Sequence, residues 1–176
     1  YDANNINPLY GFFVARAGLG ASESMRSKLA EYNDPRLSRA FITKQGTSGK
    51  EQAPGTADNA VYAPNGTPEQ GTSKYGTSLF MYSISAPTLL LSYHELKFLE
   101  AEALCRLERD AKSALKDAVV AGLLNAENSF TISRKELGKT LINAASSITE
   151  AEAESYFDNT IEAKYTAEPL KTTMTQ

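Results

Sequence analysis

The spacing of hydrophobic residues changes twice along the chain and divides it into three zones. From about residue 87 onward, apolar positions recur at helical intervals. Leu89, Tyr93, Leu96, Leu99, Ala103 and Leu107 fall at steps of three and four and form one stripe, predicted to face inward. After the break at Glu108-Arg109-Asp110, a second helix is predicted from about Ala111 to Ala126. Its buried face is Ala114, Leu115, Ala118, Val119 and Leu123. So short a link makes the two helices antiparallel neighbours. Ser133 with Glu136, and Thr149 with Glu152, match the capping box, so further helices are predicted to start at both places. On the last helix Tyr156, Ile161 and Tyr165 are the inward residues, and Pro169 closes it.

Residues 1–42 mix loop and helix. Pro8 and Gly11 break "NNINPLYGFF". Ser22 or Ser24 caps a helix through "SESMRSKLAEY", with Met25, Leu29 and Tyr32 on one face. Asn33 and Asp34 end it. Pro35 suits the first turn of the next element, from which Leu37 and Phe41 pack inward. Between these zones, residues 43–78 hold six of the eleven glycines and three prolines, without apolar periodicity. They read as one long polar loop, a feature that is often functional in a compact domain. "TSLFMYSI", 77–84, ends it as strand or extended chain.

Composition narrows the function class. A net charge of -3 supplies no basic field for nucleic acid. No window approaches the ~18 apolar residues of a membrane-spanning helix. A single cysteine allows no internal disulfide. The chain begins at Tyr1 with no signal peptide in view, and reads as an internal fragment of something longer.

The stretch "SYHELKFLEAEALCR", 92–106, collects His94, Cys105, Glu95, Glu100 and Glu102, the ingredients of a reactive site. Spacing argues against one. A di-metal carboxylate bundle needs Glu-x-x-His on facing helices. Here His94 directly precedes Glu95, and there is no second histidine. No metal and no catalytic residue is expected. Glu102 is placed to pair with Arg106 four residues on. Cys105 reads as a packing residue, and Ala101 and Ala103 as the small side chains that let a neighbouring helix approach. "GTSGK", 46–50, lacks the glycine spacing and following helix of a phosphate loop. "NGT", 65–67, matches the N-glycosylation pattern, a short motif that recurs by chance.

The loop aromatics offer a different chemistry. A sugar presents an axial C–H face that stacks on an aromatic ring, while its hydroxyls bond to polar side chains. Tyr62 and Tyr75, inside the polar loop, are the leading candidates for such a platform, followed by Tyr82 and Tyr10. The competing reading is a small satellite core beneath the loop.

Two segments carry a family likeness. "LLLSYHELKFLEAEALCRLERDAKSAL", 89–115, resembles the helix and turn of the tetratricopeptide-like pairs in the SusD/RagB family. Pro87, Ser92, Tyr93, Glu95, Phe98, Ala101, Glu102 and Ala103 fill the pattern. "SESMRSKLAEYNDPRLSRAF", 22–41, resembles a second landmark, a helix followed by Asp34-Pro35-Arg36-Leu37. The resemblance implies a mainly α fold, with residues 1–176 as a fragment of one SusD-like domain. It implies tetratricopeptide-like helix pairs, one at 87–126, and long irregular loops on the binding face.

The resemblance further implies a lipid-anchored protein on the outer membrane of Bacteroidetes-type bacteria. Such a protein binds a glycan and delivers it to a TonB-dependent, SusC-like transporter, with no cofactor and no enzymatic activity. Cys105 lies mid-helix and cannot carry the lipid. Tryptophan, a frequent sugar stacker, is absent. The alternative is a helix-pair interaction scaffold with no sugar site in this segment.

Overall fold

The Ser22 hydroxyl accepts the Ser24 N–H at 3.2 Å and starts helix α1, Glu23–Glu31. The computed structural model describes residues 6–8, 10–11, 21–45, 50–54, 62–66, 77–78, 84–85, 89–137 and 146–176. Within it the chain forms two compact units. One comprises Tyr1–Thr88 with Glu127–Ser147, the other Leu89–Ala126 with Ile148–Gln176. The fold is mainly helical, as expected, with one small sheet.

In the first unit Leu29 is the buried anchor of α1, whereas Met25, expected beside it, is exposed. The helix stops where Asn33 adopts the left-handed conformation (φ 50°). The Asp34 carboxylate then accepts three bonds from Arg36: the backbone N–H at 2.8 Å, Nε at 2.9 Å and Nη2 at 2.5 Å. A buried aspartate thus obtains both charge and donors from two residues ahead, which is the physical content of the Asp-Pro-Arg landmark. Arg39, also buried, donates from Nε to the Ser146 carbonyl and from Nη1 to the Pro35 carbonyl, both at 2.7 Å.

Part of the segment expected as loop is strand. β1 (Phe41–Gln45) pairs antiparallel with β2 (Lys50–Pro54) and with β3 (Thr77–Ser78), giving the order β2-β1-β3. The register shifts between Ile42 and Lys44, the mark of a bulge. With β2 only five residues long and opening on Lys-Glu-Gln, there is little apolar alternation for a sequence reading to detect. Lys50 begins a strand rather than a helix, which removes the phosphate-loop reading of "GTSGK" on structural grounds as well.

In the second unit, α2 spans Tyr93–Arg106 and α3 spans Lys112–Leu137, which continues into the first unit from Glu127. Lys97 Nζ lies 3.4 Å from Asp117, and a Cβ on Gly122 would sit 3.8 Å from the His94 ring. Position rises on one helix as it falls on the other, so the two run antiparallel. The predicted face of α3, Ala114, Leu115, Ala118, Val119 and Leu123, is buried.

The helix predicted to begin at Ser133 does not exist. Ala126, Phe130 and Ser133 continue the buried stripe at steps of four and three, and α3 carries on through them. Glu136 instead reaches across its own unit. Its carboxylate accepts the backbone N–H of Ile84 at 2.6 Å and of Ser85 at 3.1 Å, and the Ser85 hydroxyl. On the same helix an ion pair two turns long joins buried Glu127 and Arg134 at 2.7 Å.

Thr149 does cap the next helix, its hydroxyl accepting the Glu152 N–H at 3.2 Å. α4 (Glu150–Tyr156) passes through a π-helical turn at Phe157–Ile161 into α5 (Glu162–Ala167). Four-residue steps on an α-helix drift by about 40° each. The wider π turn keeps Phe157, Ile161 and Tyr165 on one buried face. Pro169 ends α5 and sits in the first turn of α6, Pro169–Thr175.

The orientation of α2 is the main departure from expectation. Leu89, Tyr93, Leu96, Leu99 and Leu107 are all exposed, and so is Ala103. The helix buries the opposite face instead, with Ala101 at 0% exposure. His94, Lys97, Phe98 and Cys105 flank Ala101 on that side, all half-buried. His94 against Gly122 and Lys97 beside Asp117 set this face along α3, and Cys105 meets Thr173 on α6.

Candidate functional site

The densest polar constellation lies at the start of α2. The Ser92 hydroxyl donates to Glu95 Oε2 at 2.6 Å and lies 3.2 Å from His94 Nε2. Glu95 Oε2 also accepts the Ser92 backbone N–H at 2.7 Å, and the Ser92 oxygen accepts the Glu95 N–H at 3.3 Å. This is a complete capping box. Bonds from the Ser92 hydroxyl, and then from its backbone, hold the Glu95 carboxyl below its ordinary pKa. A serine nucleophile must give its proton to the histidine. Here the hydroxyl proton is committed to Glu95, so the trio starts a helix and does not activate a nucleophile. Among the described residues no three His, Cys, Asp or Glu side chains converge to hold a metal ion.

The rest of that helix is engaged in structure too. Glu102 accepts from Arg106 at 2.7 Å, the pair expected from spacing. Cys105 Sγ lies 3.6 Å from Thr173 Oγ1 on α6. Lys97 bonds to Glu100 at 2.9 Å and sits 5.8 Å over the Tyr93 ring. The Glu100 bond is the chief cause raising the Lys97 pKa.

Two grooves border α2 within the second unit. One, of about 310 Å³, is lined by Tyr93, Lys116, Asp117, Val120, Leu124 and Glu154 among others. Lys116 is tied to Asp158 at 2.7 Å, the chief cause of its raised pKa. The other groove, of about 430 Å³, lies between α2 and α6, lined by Leu91, Glu95, Phe98, Leu99, Glu102 and Met174 among others.

The candidate stacking tyrosines fall in different places. Tyr62, inside the polar segment, is buried, 7% exposed. Its ring meets Phe41 edge-on with centroids 5.3 Å apart, and the Arg26 guanidinium lies 5.8 Å over its face. Among the described residues the hydroxyl has no hydrogen-bond partner, and desolvation is the leading cause raising its pKa. The backbone on either side is stitched to α1: Ala63 N–H donates to the Ala21 carbonyl at 2.8 Å, and Glu23 N–H to the Ala63 carbonyl at 3.0 Å. Asn65 Nδ2 donates to Ser24 Oγ at 2.5 Å, and Gly66 turns the chain with φ 74°. Tyr10 is half-buried in a helical turn, its N–H donating to Asn7 Oδ1 at 3.4 Å. Tyr75 and Tyr82 lie outside the described residues. Arg26 carries no signal of its role in the sequence, because its partner is 36 residues away.

A family model described as "SusD-like_2: Starch-binding associating with outer membrane" matches residues 2–168. The chain belongs to the SusD-like family. A crystal structure of a SusD/RagB family protein from Bacteroides thetaiotaomicron is 60% identical and superposes with a TM-score of 0.90. The match covers 99% of this chain and 37% of that one, so the chain spans little more than a third of its relative. No curated protein matches at a significant level. In this SusD-like chain both landmarks are structural devices: Asp34-Pro35-Arg36 closes a turn, and Ser92 with Glu95 caps a helix. None of the described helices is long and apolar enough to cross a membrane.

Proposed function

We propose that this chain is part of a cell-surface nutrient-binding protein that captures a glycan and passes it to a SusC-like, TonB-dependent outer-membrane transporter. The observation that carries the reading is the family match across residues 2–168, joined to 60% identity with a SusD/RagB protein. The family description names starch, so an α-glucan is the first ligand to test. The protein binds rather than catalyses, and sits on the outer membrane through a lipid anchor outside these residues. α2 and the start of α3 act as a tetratricopeptide-like pair that supports the binding loops.

Stacking rings come from the polar segment and its flanks. Tyr75, Tyr82 and Tyr10 are the proposed platforms. Tyr62 is assigned a packing role, since Phe41 and Arg26 already occupy its ring. Isothermal titration of the full-length protein with soluble starch oligosaccharides, then with a wider glycan panel, tests the reading. Saturable binding is expected, weakened roughly tenfold by Tyr75→Ala or Tyr82→Ala. A folded full-length protein that binds no glycan, yet still associates with its transporter, would favour the scaffold reading instead.

A further inference from the structure

A carboxylate at Glu136 runs against local helix electrostatics. It lies in the last turn of α3 beside Arg134 and Lys135, where the negative end of the helix dipole disfavours an acid. Its capping pattern with Ser133 has no helix start to serve, because α3 runs through both residues. The residue is exposed, so burial does not explain it either. What engages it is a segment some fifty residues earlier in the chain. The Ile84 N–H donates to Oε2 at 2.6 Å, and the Ser85 N–H (at 3.1 Å) and hydroxyl donate to Oε1. Hydrogen bonds to an ionised acceptor are roughly twice as strong as neutral ones. Two consecutive peptides are therefore clamped to the end of α3.

The clamp extends beyond Ser85. The Ile84 carbonyl accepts the Asn7 N–H at 2.9 Å, so one residue is held at both ends. Asn7 in turn organises the helical turn that follows it. Its side-chain oxygen accepts the Tyr10 N–H at 3.4 Å, and its carbonyl accepts the Gly11 N–H at 2.9 Å. The turn is close-packed, since a Cβ on Gly11 would lie 3.1 Å from the Ile6 side chain. Hydrogen bonds in series thus lead from Glu136 through Ile84 and Asn7 to Tyr10, all inside the first compact unit. A stacking ring serves best when its backbone is ordered before the sugar arrives, because ordering it on binding costs affinity.

We infer that Glu136 is a positioning residue of the binding face, fixing the Asn7–Gly11 turn, and Tyr10 with it, through the Ile84 peptide. The inference rests on the glycan reading above. It adds to that reading a residue that acts through another and does not itself hold the sugar.

Two measurements on the full-length protein test it, and the first needs no ligand. Glu136→Ala should speed amide hydrogen exchange roughly tenfold at Ile84 and Ser85, and also at Asn7 and Tyr10. Lys135→Ala, its neighbour, should leave all four amides unchanged. Glu136→Gln keeps one acceptor oxygen and should fall between; it carries the same comparisons if Glu136→Ala does not fold. Glycan titration then reads the consequence. Glu136→Ala should weaken binding roughly fivefold, yet have no further effect in a Tyr10→Ala background, because the residue it acts through is gone. Equal losses in both backgrounds would mark a merely structural role and overturn the inference. So would exchange that quickens at Ile84 and Ser85 while Asn7 and Tyr10 stay unmoved. Exchange that spreads as expected in a protein that binds no glycan would sink the glycan reading, and with it the binding role of Glu136.

Discussion

The Tyr165 hydroxyl accepts the backbone N–H of Ala111 at 2.8 Å and donates to Asp110 Oδ1 at 3.3 Å. Asp110 in turn accepts the Lys112 N–H at 3.0 Å, so one phenol and one carboxylate serve the start of α3 together. Ala111 is buried, and its N–H has no water to turn to. Tyr165→Phe should therefore cost roughly 1–3 kcal/mol, the penalty of an orphaned buried donor. Chemical denaturation with and without the substitution measures it, and an unchanged midpoint would refute the role.

Ala101 and Ala103 differ by two residues and by opposite faces of α2. Ala101→Leu should destabilise by about 1–3 kcal/mol through overpacking against the neighbouring helix. The same change at exposed Ala103 should stay within about 0.5 kcal/mol in any form of the chain that leaves this face open. Melting temperatures of the two variants separate the faces directly, and equal losses would contradict the observed orientation.

Tyr62 tests whether the polar segment rests on a core residue or displays a ring. Its hydroxyl is buried without a partner, so Tyr62→Phe should be neutral or stabilising, by about 1 kcal/mol at most. Tyr62→Ala should cost roughly 3–5 kcal/mol by removing the ring packed on Phe41. A Tyr62→Ala protein of full stability with lost glycan affinity would restore Tyr62 as a platform.

Two of the buried phenols, Tyr62 and Tyr165, make stability fall in alkali. Burial is the leading cause raising the pKa of Tyr62 and of Tyr165 above the ordinary tyrosine value of 10.0. The neutral form is the one the fold prefers. Its contribution is complete below that value and is lost as pH rises from there through the folded-state pKa. Tyrosinate absorbance should show both groups titrating late, and the double Tyr62→Phe, Tyr165→Phe variant should lose stability less steeply above that pH.

Glu95 acts at the other end of the scale. Its pKa is lowered, first by the Ser92 hydroxyl bond, so the contribution of its charge is present above the ordinary 4.5 and is lost as pH falls through the folded value. Ser92→Ala removes the hydroxyl and should cost about 0.5–2 kcal/mol at neutral pH. The loss should shrink on acidification, because the wild-type cap weakens as well. A gap between the two proteins that is constant from neutral pH to below 4.5 would exclude the carboxylate's part in the cap.

Local signals were the legible ones. Ser22 and Thr149 were readable as helix starts because a cap involves residues two or three apart, whereas the Ser92–Glu95 box, with the same spacing, was not singled out as a start. The inward residues of α3 and of the last helix were readable because both helices bury the wide apolar stripe that periodicity detects. Ser133 failed by the same logic. Its capping pattern with Glu136 is real in sequence, but the buried stripe through Ala126 and Phe130 outweighed it and kept the helix going. β1 and β2 were missed because short strands with little apolar alternation are stabilised by pairing with chain elsewhere.

The sequence by itself determined the helix starts at Ser22 and Thr149, that the chain is mainly helical, and, through Asp34-Pro35-Arg36 and the run around Ser92, the family it belongs to. Only the tertiary structure decided which side of α2 turns inward. Periodicity identifies an apolar stripe but not its partner, and α2 carries two packable faces: one of small residues around Ala101, one of leucines. Burial of Ala101, with His94 against Gly122 and Lys97 beside Asp117 on α3 and Cys105 beside Thr173 on α6, took the first face inward and left the leucines outward. The same limit applied to Tyr62, whose polar neighbours suggested display while Phe41 and Arg26, both distant in sequence, bury it.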